Sequence, residues 1–327
     1  MIVSGTDPQA IAEAARTVAA GGVVAFPTET VYGLGADASS DTAVAKIFAA
    51  KGRPSDHPLI VHIADAAQVT DYAGEVPLFA QKLMQAFWPG PLTVILPRRP
   101  GVAAAAAGGQ DSIGLRCPAH PVALAFLQAC KTGVAGPSAN RFGRVSPTTA
   151  LHVASEFGDD LLVLDGGPCD VGIESSIVDC TRGRPVLLRP GVLGRQQLEA
   201  ACGETVLDKD GLLADKAAPR APGTLASHYA PDAKVRLMDT KAIQTALDVL
   251  GSDAAHIAVY ARSIVRIQSE NVLYRRMPDD PVATAQQLFA VLRDFDAKGA
   301  RLIWIETLPE AEAWDGVRDR LGRAAAS

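Results

Sequence analysis

Short apolar runs recur along this chain, and each stops at a turn built on glycine, proline or a hydroxyl residue. Residues 23–26, 59–63, 92–96, 112–116, 134–135, 161–164 and 186–188 all read this way, and runs of that length fit strands better than helices. Between them lie segments with helical periodicity at 8–20, 42–50, 77–87 and 121–130; in the first, Ile11, Ala15, Val18 and Ala19 share one stripe. Strands that alternate with helices predict an α/β fold. No apolar run reaches the roughly 18 residues that a membrane span requires.

The strand ends carry chemistry. Polar side chains stand at Thr28 and Thr30, at Arg116, at Ser138 and Asn140, and at Ser175 and Ser176, joined by Lys51, Arg53, His62 and Arg189. Each alone has an ordinary explanation, because hydroxyl residues cap helices and arginines form surface ion pairs. Their repetition at strand-to-loop junctions points to a ligand site. In Lys51-Gly52-Arg53-Pro54-Ser55-Asp56-His57-Pro58, extended backbone would send Lys51 and Arg53 to the same side, exposed in a cleft. A lysine point charge beside an arginine fork suits a polyphosphate. Residues 27–35 read as a turn, 102–109 as a mobile alanine–glycine loop, and Arg189 as a cation pointing out of the strand set.

At 327 residues the chain has room for two domains. We expect a first domain at 1–206, a linker at 207–233 with Pro219, Pro222 and Gly223, and a second domain at 234–327. In the last, strand-like runs near 235–238, 257–260, 272–274 and 302–305 alternate with helical stretches, which predicts a small α/β unit with a parallel sheet. The net charge of −5 supplies no global field for nucleic acid. Five cysteines without a CxxC pair argue against a disulfide framework and a zinc site and favour a reducing, cytoplasmic setting. The N-terminus shows neither the basic nor the apolar region of a signal peptide.

Six segments in order are similar to one family. Phe26-Pro27-Thr28-Glu29-Thr30-Val31-Tyr32-Gly33-Leu34, Lys51-Gly52-Arg53-Pro54, Trp88-Pro89-Gly90-Pro91-Leu92-Thr93, Arg116-Cys117-Pro118, Pro137-Ser138-Ala139-Asn140 and Glu174-Ser175-Ser176-Ile177 resemble the Sua5/YrdC/YciO family. His228-Tyr229-Ala230-Pro231 and the α/β tail resemble its longer Sua5 branch. The resemblance implies a YrdC-like twisted mixed sheet with a concave cationic cleft, followed by a smaller Rossmann-like α/β domain. It also implies an enzyme that condenses L-threonine, bicarbonate and ATP to threonylcarbamoyl-adenylate, releasing pyrophosphate. That product serves N6-threonylcarbamoyladenosine (t6A) formation in tRNA.

By the same resemblance, Thr30, His62, Arg116, Gly136 and Ser176 would surround threonine, with Arg116 on its carboxylate. Arg53, His57, Ser112, Ser138, Asn140, Ser146, Arg189 and Tyr229 would line the ATP site, with Lys51 on the phosphates and Lys51 and Arg53 in the catalytic role. His57 stands where the family often has asparagine, and Gly136 where it often has alanine. Mg²⁺ would come with the nucleotide, without a protein cage. The product would pass to a tRNA threonylcarbamoyltransferase, with no membrane partner and no stable nucleic-acid complex. Residues from about 218 to 231 would fold over the cleft as a lid, Tyr229 closing on the nucleotide. The alternative is a double-stranded RNA-binding module without adenylate chemistry, which the acidic balance disfavours. Carbamoyl transfer in hydrogenase maturation uses a similar domain but would need acylphosphatase and zinc-finger segments, for which the sequence offers neither the length nor the CxxC pairs.

Overall fold

The structure, a computed structural model, describes residues 1–208, 219–223, 229–263 and 265–326. Much of the expected linker, including His228, lies outside the described residues. The chain divides into two compact units: Met1–Phe142 with Ser146–Thr224, and Gly143–Val145 with Leu225–Ser327.

The first unit begins with β1 (Ile2–Ser4), α1 (Pro8–Ala19), β2 (Val24–Phe26), β3 (Gly33–Asp37) and α2 (Asp41–Lys51). It continues through β4 (Ile60–His62), α3 (Val69–Tyr72), α4 (Leu78–Phe87), β5 (Leu92–Pro97), β6 (Ser112–Arg116) and α5 (Pro121–Cys130). β7 (Val134–Ala135), α6 (Ala150–Phe157), β8 (Leu162–Asp165), β9 (Ser176–Asp179), β10 (Val186–Arg189), α7 (Arg195–Cys202) and β11 (Leu207–Asp208) complete it. The helices start where sequence signals are strong. Asp7 caps α1 ahead of a proline in its first turn, Ser40 caps α2, and Thr149 caps α6.

The strands form one mixed sheet in the order β1-β8-β2-β3-β7-β4-β6-β5-β9-β10-β11. Alternation divides its side chains between two faces. Ala25, Val61, Val94, Leu96 and Val178 enter the large core with α2 and α4. Their neighbours Val24 and Phe26 face a second core, with Ala14 and Val18 of α1 and Phe126 of α5. Ile60, Ile95 and Ile177 form a smaller apolar cluster with Val186, Leu188 and Ala221. Burial on both faces accounts for strands that read as nearly continuous apolar runs.

Several expectations change. β3 begins inside the stretch read as a turn and runs on to Asp37, and β11 extends the sheet beyond residue 206 by pairing parallel to β10. Residues 102–109 are packed rather than mobile: Ala106 and Ala107 are fully buried, and the Leu59 N–H donates to the Ala106 carbonyl. Lys51 closes α2 and Gly52 turns left-handed (φ 63°), so the pair of cations is not carried on extended backbone. A residue with Cβ would be strained at that φ, which glycine avoids.

The second unit holds β12 (Lys234–Met238), α8 (Thr240–Leu250), β13 (Ile257–Ala261), β14 (Leu273–Arg276), α9 (Pro281–Ala297), β15 (Leu302–Glu306) and α10 (Asp315–Ala325). Its sheet is parallel throughout, in the order β12-β15-β13-β14, as the alternating pattern predicts. Ile243, Leu247, Val259 and Trp304 pack in its core.

Tyr229 belongs to this unit. Its ring is buried, stacked on Phe289 of α9 at 5.7 Å between centroids, with the Arg320 guanidinium of α10 5.3 Å from the ring centre. The ring therefore anchors the end of the linker to the second unit, instead of standing open as the lid reading requires. Tyr229→Leu keeps an apolar side chain but loses the stacked ring and the cation–π contact, worth together about 1–3 kcal/mol. The thermal unfolding midpoint is expected to fall by several degrees; an unchanged midpoint by calorimetry would remove the anchor role.

Among the described residues, no helix is long and apolar enough to cross a membrane.

Candidate active site

The register of the sheet assembles the site. His62 ends β4 and Arg116 ends β6, and these parallel strands place the two residues side by side. The same face carries Ile60, Ser112 and Gly114, because alternate residues point the same way. Ile95 pairs with Gly114, and Thr93 with Ile177, so β5 and β9 continue this face. The result is an apolar middle of isoleucines with polar groups at the strand ends.

Arg116 is almost wholly buried and is held through one N–H on each of its three nitrogens. Its Nε donates to the Gly90 carbonyl at 3.2 Å, Nη1 to the Thr30 hydroxyl at 2.8 Å, and Nη2 to the Glu29 carboxylate at 2.6 Å. The Thr30 hydroxyl is in turn 2.8 Å from that of Thr28. The Ser176 N–H donates to Pro91, the residue after Gly90, and its hydroxyl to the Leu193 carbonyl. One turn thus binds Arg116 and Ser176 through consecutive carbonyls. Gly191 lies against Ser176: a Cβ there would meet the Ser176 amide nitrogen at 2.5 Å, so only glycine allows this approach.

His62 packs edge-on to Phe26, 5.5 Å between centroids. Burial, reinforced by the charge of Arg116, depresses its pKa to about 3, so the ring is neutral at physiological pH. Its Nδ1 is buried and makes no hydrogen bond. A Cβ at Gly136 would stand 3.1 Å from that nitrogen and 3.2 Å from Phe26, tighter than ordinary contact, which accounts for glycine there. Thr30, His62, Arg116, Gly136 and Ser176 therefore form one connected group.

The cationic loop is arranged differently from expectation. Lys51 is buried, not exposed in a cleft; its ammonium donates to the Ser138 carbonyl at 2.5 Å and to that of Asn140. Burial lowers its pKa well below the usual lysine value, as does Arg53, against the opposing fields of Glu156 and Glu174. Arg53 is partly exposed and donates to the Pro58 carbonyl at 3.0 Å. His57 lies 5.7 Å from the Phe142 ring, and its pKa is lowered by burial and by Arg53. The Asn140 amide donates to the Arg141 carbonyl.

Arg189 points inward, correcting the outward reading. Its Nε and Nη2 donate to the Ser175 carbonyl at 3.1 and 2.9 Å, and Nη1 to the Pro222 carbonyl at 2.9 Å. Pro222 belongs to the described part of the linker, which lies on the first unit's functional face. Ala221 joins the isoleucine cluster, and Arg220 pairs with Asp56 at 2.7 Å while its N–H meets the Gln110 side chain. The linker covers this face closely: the cavity left there, about 10 Å³, is lined by Ser112, Thr93, Ile95, Ile177, Arg220 and Pro222 among others.

Three buried carboxylates were not singled out from the sequence. Glu29 pairs with Arg116, Glu174 accepts from the Ser146 hydroxyl, and Glu156 accepts from the Arg141 N–H. Glu29 and Glu174 lie within motifs quoted above, but an acid in a polar turn reads as solvated until its burial is known. Among the described residues, no group of three His, Cys, Asp or Glu side chains could hold a metal ion.

Comparisons with known proteins give the family of the chain. The Sua5/YciO/YrdC family model, described as telomere recombination, matches residues 16–191. The chain belongs to that family. A second model, the C-terminal domain of threonylcarbamoyl-AMP synthase, matches residues 193–326, the signature of the longer Sua5 form. The threonylcarbamoyl-AMP synthase of Bacillus subtilis is 39% identical, the match covering 99% of this chain and 94% of that protein. Its Pyrococcus abyssi counterpart is 38% identical over 95% and 92%. The crystal structure of P. abyssi Sua5 complexed with L-threonine superposes with a TM-score of 0.89 at 37% identity, covering 99% of this chain and 97% of that one. The Sua5 fold, a large mixed sheet followed by a parallel α/β unit, is thus the fold of this chain.

Proposed function

We propose that this chain is a threonylcarbamoyl-AMP synthase acting in t6A formation. The observation that carries the reading is the group around Arg116: a buried guanidinium with Thr30, His62 and Ser176 close by, in a chain related over nearly its whole length to enzymes of that name. It is an adenylate-forming nucleotidyltransferase, and its work is cytoplasmic.

The amine of threonine combines with bicarbonate to give an N-carboxylate and water. A carboxylate oxygen attacks the α-phosphorus of ATP, the bond to the β-phosphate oxygen breaks, and pyrophosphate leaves. All reacting groups are anionic, so positioning and fixed positive charge do most of the catalysis. Arg116 takes the threonine carboxylate, and a neutral His62 at its side adds no competing charge. The apolar middle of the face, Ile60, Ile95 and Ile177, suits the adenine ring. Arg53 and Arg189 supply charge for the phosphates. Lys51 shapes the Ser138–Asn140 turn with two of its three protons and can offer the third to phosphate. Ser112 and Ser138 are the hydroxyl donors of that site, Ser146 lines it with its own proton held by Glu174, and His57 stands at its rim.

Mg²⁺ arrives with ATP in this reading, because a cluster of lysine and arginine repels a bare cation, while the nucleotide's phosphates compensate it. Bound there it would neutralise charge on the leaving pyrophosphate. Residues 219–223 act as the covering segment over the apolar face, and the adenylate passes to a tRNA threonylcarbamoyltransferase. Incubation with ATP, bicarbonate and threonine, or serine in parallel, followed by mass spectrometry, tests the reading. Threonylcarbamoyl-adenylate and pyrophosphate in equal amounts are expected. Tight duplex-RNA binding without adenylate would establish the RNA-binding alternative instead.

A further inference from the structure

We propose that Glu29 is the positioning residue that sets the Arg116 guanidinium for a substrate carboxylate; this rests on the threonine site just described. Glu29 is itself buried, at 7% exposure, in the turn between β2 and β3. One oxygen accepts from Arg116 Nη2 at 2.6 Å and the other from the Ala119 N–H at 3.1 Å. Ala119 lies three residues beyond Arg116, where the chain turns from β6 towards α5. A single carboxylate therefore ties the tip of the arginine to the far side of the turn that follows it. The Glu29 carbonyl also accepts from the Val171 N–H, which fixes the turn carrying the acid.

Counting protons shows what this arrangement does. A guanidinium has five N–H groups, and three are committed to Gly90, Thr30 and Glu29. One proton remains on each of Nη1 and Nη2, a pair suited to the two oxygens of a carboxylate. Which pair stays free is decided by where the other three are held. Glu29 also works against binding, because its charge already compensates Arg116 and repels a second carboxylate. That cost is retained because only an ionised carboxylate accepts from Arg116 and Ala119 together. A glutamine would offer one acceptor and would set its NH₂ group against the other donor.

The test is a pair of variants, Glu29→Gln and Glu29→Asp, the second keeping the charge but too short to bridge both donors. Threonine affinity is measured directly by calorimetry on the full chain, and KM for threonine and for ATP in the adenylate assay. Both variants are expected to weaken threonine roughly tenfold or more, since small misplacements of a binding group cost that much. The ATP KM should stay within about twofold. In an Arg116→Lys background, which has lost the fork, Glu29→Gln should add almost nothing. Unchanged or tighter threonine binding in both variants overturns the proposal. So does equal loss of threonine and ATP, or a full additional loss in the Arg116→Lys background. Failure of the unmodified chain to bind threonine would instead refute the site reading on which the proposal stands.

Discussion

Lys51→Ala is expected to lose both adenylate formation and stability. The sequence reading assigns Lys51 a phosphate in an open cleft, where alanine would cost turnover and leave the melting temperature alone. Burial changes that expectation. The ammonium holds the carbonyls of Ser138 and Asn140 inside the protein, within the field of Glu156 and Glu174. Alanine strands two buried acceptors and leaves the acidic side of the network under-compensated, a loss on the order of 3–5 kcal/mol. Lys51→Met keeps the apolar stem and should recover part of the packing but none of the activity. Chemical denaturation and the adenylate assay together check this. A stable, inactive Lys51→Ala protein would return the residue to a purely phosphate-binding role.

His62 gives the second large effect, in acid. Its folded pKa is about 3, depressed by burial and by Arg116, against about 6.5 in the unfolded chain. Between those values the unfolded state binds the proton and the folded state does not, so stability falls as pH drops. The slope is half its limiting value at pH 6.5 and has faded by about pH 7.5, above which the residue no longer affects the pH dependence. Between pH 6.5 and 5 it should remove roughly 1.5–2 kcal/mol, with a limiting slope near 1.4 kcal/mol per pH unit. His57, whose pKa is also lowered, acts in the same direction. His62→Phe keeps an aromatic ring beside Phe26 and does not titrate, so its stability–pH curve should be flatter by one proton across this range. Superimposable slopes for the two proteins would mean that His62 is solvated and titrates normally.

The helices were legible because their signals are local. Asp7 ahead of Pro8 and Ser40 ahead of α2 each accept from a free N–H of the first turn, and Pro121 opens α5 with no N–H to satisfy. The parallel character of the second sheet was legible too, from strands spaced by helices. β3 was missed because Gly33-Leu34-Gly35 has turn composition; its strand geometry comes from pairing with β2 and β7. Residues 102–109 misread for the same reason, since small residues suit a mobile loop and close packing equally well.

The residue types of the site, and their places at strand ends, were determined by the sequence alone, because cations, hydroxyls and glycines at such junctions carry their chemistry wherever the chain puts them. Tertiary structure decided which of them meet. His62 reaches Arg116 only through the β4–β6 pairing, and Lys51 reaches Ser138 and Asn140 only when α2 packs beside the strand end after β7. Tyr229 spends its ring on Phe289 and Arg320, contacts between segments distant in sequence. Burial was equally invisible beforehand, and it gives these charges their force. In water Glu29 and Arg116 are two ordinary surface ions. Inside the sheet, with water excluded, each must have the other.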